Sequence, residues 1–105
     1  MKKYTVSNEV PINGTSYQGE VVVTYDILVA IFGEPFDSDR YKVDAEWNII
    51  FENGEIATIY NYKNGKNYLG DDGLDVKNIT DWHIGGKSKD VVTYIQDIIK
   101  DYIKN

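Results

Sequence analysis

The dipeptide Asn53-Gly54 constrains this chain more than any other stretch. It sits inside residues 42–67, KVDAEWNIIFENGEIATIYNYKNGKN, with alternating apolar and polar residues on either side. A two-residue Asn-Gly loop needs positive φ at both positions, which Asn and Gly tolerate best, and its twist matches that of the strands it joins. The turn predicts a hairpin over about residues 42–63. In it Glu52 faces Glu55, Phe51 faces Ile56, Ile49 faces Thr58 and Trp47 faces Tyr60. Side chains alternate between the faces of a strand. Val43, Ala45, Trp47, Ile49 and Phe51 then share a core face with Ile56, Thr58, Tyr60 and Tyr62. Asp44, Glu46, Asn48, Ile50 and Glu52 share the other face with Glu55, Ala57, Ile59 and Asn61. That second face has a small apolar centre and acidic margins. It reads as a solvated sheet face or as a contact surface, since interfaces commonly set an apolar centre within a polar rim. Glu52 opposite Glu55 brings like charges together, which disfavours the pair unless something nearby relieves it. A second Asn-Gly, at Asn64-Gly65, predicts a third short strand that pairs Tyr62 with Asn67.

The flanking segments complete an α+β pattern. Residues 2–6 read as an edge strand, 7–14 as a loop and 16–23 as a strand. Thr24 is placed to cap a helix over about 25–32, with Asp26 in its first turn and Gly33 and Pro35 as its stop. The apolar run there also suits a continued strand, but start and stop signals bracketing one short segment favour the helix. Residues 34–41 and 70–75 read as polar loops. Ile79 to Ile84 alternates, with Trp82 on the core side. Ser88 and Asp90 open a C-terminal amphipathic helix over about 89–104, whose stripe includes Val91, Ile95, Ile98 and Ile99. The expected fold is an antiparallel sheet centred on the hairpin. The C-terminal helix covers one face and the short apolar helix packs at an edge or end.

The 105 residues suit one α+β domain spanning 1–105, long enough for a core without staples. There is no cysteine, which removes disulfides, thiolate metal sites and a cysteine nucleophile. The first ten residues lack the apolar run of a signal peptide, and no stretch approaches the roughly 20 apolar residues of a membrane span. The formal charge is −6. Residues 34–75 hold ten acidic and four basic residues, so the acidity concentrates on the hairpin and the loops beside it. An acidic surface is poorly suited to phosphate backbones. It suits a protein partner with a basic surface.

No catalytic motif is present. The acids around Gly70–Gly73 lack the spacing of a calcium loop. No glycine-rich phosphate loop opens a helix. His83 is the only histidine, with Asp81 two residues away on the same strand face. If their strand joins the hairpin sheet, both share a face with Asp44 and Glu46. The pair could serve a metal-dependent hydrolase, although one histidine with scattered carboxylates is a weak metal signal. A surface or structural histidine is the plainer reading. A polar, aromatic set of Tyr17, Tyr41, Lys63, Lys66, Tyr68, Asp81 and His83 would instead suit a small-molecule binder such as a sponge for a nucleotide signal. Gly85-Gly86 would allow a ligand close approach.

Several stretches together resemble a family of small proteins encoded by bacteriophages and prophages. They are Gly14-Thr15-Ser16-Tyr17-Gln18-Gly19, Thr24-Tyr25-Asp26, Leu28-Val29, Phe32-Gly33-Glu34-Pro35, Tyr41-Lys42-Val43, Glu46-Trp47, Ala57-Thr58-Ile59-Tyr60-Asn61-Tyr62-Lys63 and Thr80-Asp81-Trp82-His83-Ile84-Gly85-Gly86. The resemblance spans roughly residues 14 to 87. It implies an accessory gene of a phage, a class that often includes inhibitors of host defence, and it carries no catalytic residue and no cofactor. The expected function is therefore non-enzymatic. The protein would bind and block a host factor in the bacterial cytoplasm through the acidic face formed by Asp44, Glu46, Ile50, Glu52, Glu55 and Ile59. A homodimer burying that face is the competing arrangement.

Overall fold

The computed structural model describes residues 3–36 and 43–104. Among these residues five strands form one antiparallel sheet: β1 (Tyr4–Val6), β2 (Ser16–Val22), β3 (Glu46–Phe51), β4 (Ile56–Tyr60) and β5 (Asp81–Gly86). Their spatial order is β1-β3-β4-β5-β2. Among the described residues three α-helices accompany the sheet: α1 (Tyr25–Phe32), α2 (Lys66–Leu69) and α3 (Asp90–Lys104). This is the expected α+β fold. The hairpin lies at its centre, and α3 packs on β2, β4 and β5 and against α1.

The short apolar segment is a helix for the reasons its sequence suggests. The Thr24 side chain accepts from Ile27 N at 3.2 Å and satisfies an orphan amide of the first turn. Gly33 ends the helix at φ 88°, a conformation L-residues avoid. Both ends of α1 are also held from below. Trp82 Nε1 donates to Val23 O at 3.1 Å, just before the cap, and Trp47 Nε1 donates to Gly33 O at 2.8 Å, just after the last turn. The two indoles meet edge-on, 5.4 Å between centroids. Both are fully buried with Leu28, Ile49, Ile59, Ile84, Val91 and Ile95.

The hairpin departs from its expected register by one residue. Ile50 pairs with Ile56, Ile49 with Ala57, Asn48 with Thr58, Trp47 with Ile59 and Glu46 with Tyr60. The loop holds three residues, not two. Gly54 N donates to Phe51 O and Phe51 N to Glu55 O, both at 2.9 Å. Only Gly54, at φ 87°, takes the left-handed conformation, and Asn53 keeps a negative φ. This is a type I turn closed by a glycine bulge, the second common way an Asn-Gly can link strands. A slip of one residue exchanges the faces of a whole strand. Ala57, Ile59 and Asn61 therefore turn into the core, and Ile56, Thr58, Tyr60 and Tyr62 turn away from the helices. Core packing favours this outcome. Ile59 is fully buried, and burying such a side chain stabilises by about 1.5–3 kcal/mol. The like-charge pair also disappears, because Glu55 sits opposite Phe51 and accepts from Ser88 Oγ at 2.9 Å. The hydroxyl expected to cap α3 is thus directed to the hairpin.

The second Asn-Gly makes no third hairpin strand. Lys63 takes φ 63°, the one positive φ among described non-glycine residues, and the chain then enters α2 at Lys66. The reason lies in Asn61. Its Oδ1 accepts from Asp44 N (2.7 Å) and Ala45 N (3.0 Å), and its Nδ2 donates to Asp44 Oδ1 (3.0 Å) and Asn64 Oδ1 (3.2 Å). Asp44 Oδ2 accepts from Asn67 N, and Asn67 Nδ2 donates to Val43 O at 2.9 Å. A β-carbon at Gly65 would collide with the Asp44 carboxylate. These bonds fold the segment after β4 back onto residues 43–45.

One face of the sheet carries α1 and α3. The strand order forces residues 7–15 to pass from the β1 edge to the β2 edge, and they do so over the opposite face. Ser7 N donates to Asn48 O, Val10 is buried, and Ile12 lies beside Thr58, Tyr60 and Gly85. This strap covers part of the second face and leaves the part near His83 open.

Candidate functional site

Two departures from simple strand alternation build the open part of the second face. The first is the hairpin slip, which turns Tyr60 and Tyr62 outward. The second is a bulge in β2. Tyr17 pairs with Gly85 but Gly19 pairs with Ile84, so Gln18 is an extra residue, with its side-chain Nε2 donating to Gly86 O at 2.9 Å. Bulges re-aim side chains. Here the bulge puts Tyr17 and Glu20 on the same face although an even number of residues separates them. Trp82 and Ile84 face the core as expected, so His83 faces outward between them.

His83 is the floor of the resulting cleft. A cross-strand row runs Glu46, Tyr60, His83, Glu20 through the pairings of β3, β4, β5 and β2. The Tyr17 ring lies 4.9 Å from the His83 ring at 59°, the Tyr60 ring 5.5 Å away at 65°, and the Tyr62 ring 5.5 Å away and stacked at 29°. His83 Nε2 is 3.3 Å from Glu20 Oε1. Desolvation first, and then the neighbouring Glu20 carboxylate, raise the Tyr17 hydroxyl above its usual value, so the fold favours its protonated form. Tyr17, Tyr60, Tyr62 and His83 line an open cleft of about 350 Å³. A smaller hollow of about 70 Å³ adjoins it across Tyr60, lined by Ile12, Thr15, Ser16, Thr58 and Gly85. Pockets of a few hundred Å³ with apolar walls and few polar groups are typical ligand sites.

Of the residues singled out in the sequence, the structure brings Tyr17 and His83 into contact and sets Asp81 on their face, two residues along β5. Lys63 reaches the rim, with Nζ 5.3 Å above the Tyr62 ring and 5.5 Å above the Tyr68 ring. Lys66 is drawn aside by Asp75 at 3.0 Å. Tyr41 lies outside the described residues, as does Lys42. Among the described residues no group of three or more His, Cys, Asp or Glu side chains could hold a metal ion.

The six acidic-face residues do not form one surface. Glu46 and Ile50 do lie on the second face, and Asp44 precedes β3. Asp44, however, spends its carboxylate on Asn61 and Asn67. Glu46 is buried, and Asn48, with its amide nitrogen turned toward Glu46, donates to Oε2 at 3.2 Å. Ile59 is fully buried in the core. Glu52 is exposed at the hairpin tip and Glu55 is bonded to Ser88. Tyr60, Tyr62 and Glu20 were not expected at a site. The first two required the true register, and Glu20 required the bulge. The one signal within the sequence was the density of tyrosine in Tyr60-Asn61-Tyr62.

Among the described residues no helix is long and apolar enough to cross a membrane. No protein-family model matches the chain, and no curated protein matches it.

Proposed function

We propose that this chain is a non-enzymatic binding protein that captures and blocks a host protein through its open sheet face. The setting is the one its resemblance to phage-encoded accessory proteins implies, the cytoplasm of an infected bacterium and an inhibitor of host defence. The observation that carries the reading is the tyrosine–histidine cleft. It is an apolar, aromatic concavity on a sheet face that the helices leave uncovered, and aromatic anchor sites of this kind dominate many interfaces. Glu20 and Asp81 are exposed beside it, in a chain of charge −6. Those charges suit a partner with a basic surface. The contact set is thus moved from the hairpin acids to Tyr17, Glu20, Tyr60, Tyr62, Asp81 and His83.

The test is capture from bacterial lysate followed by native mass spectrometry. A stoichiometric protein partner is expected. It should be lost when Glu20 and Asp81 are both changed to lysine, at physiological salt and with an unchanged circular dichroism spectrum. Capture that survives both reversals overturns this contact face. A second reading, a binder of a small nucleotide-like molecule, is favoured by the hydroxyl-lined hollow next to the aromatic cleft. It predicts a small bound mass in place of a protein, and a thermal shift with a cyclic or linear nucleotide.

A further inference from the structure

The shape and charge of the cleft say more about what it holds. We infer that it is an aromatic cage for one guanidinium group, and that the group is an arginine side chain of the captured protein. This inference rests on the binding reading above.

Three observations carry it. The first is ring geometry. A planar heterocycle inserts between parallel rings whose centroids stand about 7 Å apart, two van der Waals thicknesses. Tyr62 lies nearly parallel to the His83 floor at 5.5 Å, and that gap is therefore closed to insertion. Tyr17 and Tyr60 are inclined at 59° and 65° to the floor. Walls that stand up from the floor surround a compact group better than they cover a base lying flat on it. The second is charge. Tyrosine faces attract cations, and the Glu20 carboxylate stands at the wall of the cleft. It already meets His83 at 3.3 Å, but a carboxylate has about four acceptor sites and retains capacity for a forked donor. A guanidinium both stacks on rings and donates in a fork, which an ammonium does not. The third is the chain's own use of these rings. Lys63 already sets an ammonium over Tyr62 and Tyr68. The Tyr62 face thus already holds a cation in the free protein, and Lys63 is the competitor of an incoming guanidinium.

The experiment uses the intact chain and three probes: N-acetyl-arginine amide, its neutral isostere N-acetyl-citrulline amide, and adenosine monophosphate. Binding is read from the ring resonances of Tyr17, Tyr62 and His83 by nuclear magnetic resonance. The arginine probe should bind at least about tenfold more tightly than the citrulline probe. Glu20→Gln and Tyr62→Ala should each weaken it severalfold to about tenfold. Tyr62→Phe, which keeps the ring, should leave it nearly unchanged, and this separates a binding role from a folding one. Lys63→Gln should strengthen it. No shift with the arginine probe, or equal binding of citrulline, overturns the cage. Preferred binding of adenosine monophosphate that needs Lys63 overturns it in favour of an anion. The probes require no host protein. Failure of the cage with capture intact therefore leaves the binding reading standing, and a working cage with no captured partner removes the binding reading and the protein origin of the guanidinium.

Discussion

Asn61 shows how much one side chain can decide. In the expected register it faced solvent among acidic neighbours. In the fold it is fully buried and both its amide atoms are satisfied by residues 44, 45 and 64. A buried donor or acceptor left without its partner costs about 1–3 kcal/mol. Asn61→Ala strands the Asp44 and Ala45 amides together, so it should destabilise the protein by about 2–4 kcal/mol. Urea denaturation checks this: the midpoint should fall with little change in slope, and a loss well under about 1 kcal/mol would mean water replaces the amide. The same bonds explain why Asp44 is a poor contact residue. A carboxylate holding α2 to residues 43–45 is not available to recognise a partner.

At the scale of elements, α1 is the instructive case. Its eight residues are too few to be stable alone. Its start and stop were nevertheless readable, because Thr24 and Gly33 act through local geometry. Its attachment was not readable, because the two indole donors come from β3 and β5. Trp82→Phe and Trp47→Phe each remove one of these bonds and leave a carbonyl at one end of α1 without its donor. Each should cost about 1–3 kcal/mol. Hydrogen exchange should show the loss first in α1, with the amides of α3 retaining more of their protection. Equal loss across both helices would mean the indoles support the core generally and do not act as clasps on α1. The β2 bulge belongs to the same scale. One extra residue, Gln18, turns Tyr17 onto the face of His83 and so completes the cleft.

Across the whole molecule, the tyrosines set the response to alkali. Burial raises Tyr4, and burial followed by the charges of nearby carboxylates raises Tyr17 and Tyr25. The fold thus favours the protonated phenols over their ionised forms. A group raised on folding contributes stability that is fully present below its unfolded value, about 10 for tyrosine, and is lost as pH climbs through the folded value. The denaturation midpoint should therefore be flat in these groups up to about pH 9 and fall beyond about pH 10. Tyrosinate absorbance should rise together with unfolding. Tyr17→Phe should flatten part of the slope, and a fall unaffected by any of the three would assign it to other groups. The acidity of the chain, the absence of cysteine, the hairpin, the helices α1 and α3 and the core position of Trp82 were all legible in the sequence. They depend on composition, on periodicity or on the chemistry of a single turn. The Asn-Gly turn left two registers open, differing by one residue, and local chemistry does not separate them. Packing chose between them by burying Ala57 and Ile59 against the helices, and that choice turned Tyr60 and Tyr62 outward. A side chain's neighbours across a sheet are set by partners distant in the chain. For that reason the elements could be read from the sequence, and only the tertiary structure decided that Tyr17, Glu20, Tyr60, Tyr62 and His83 meet in one cleft.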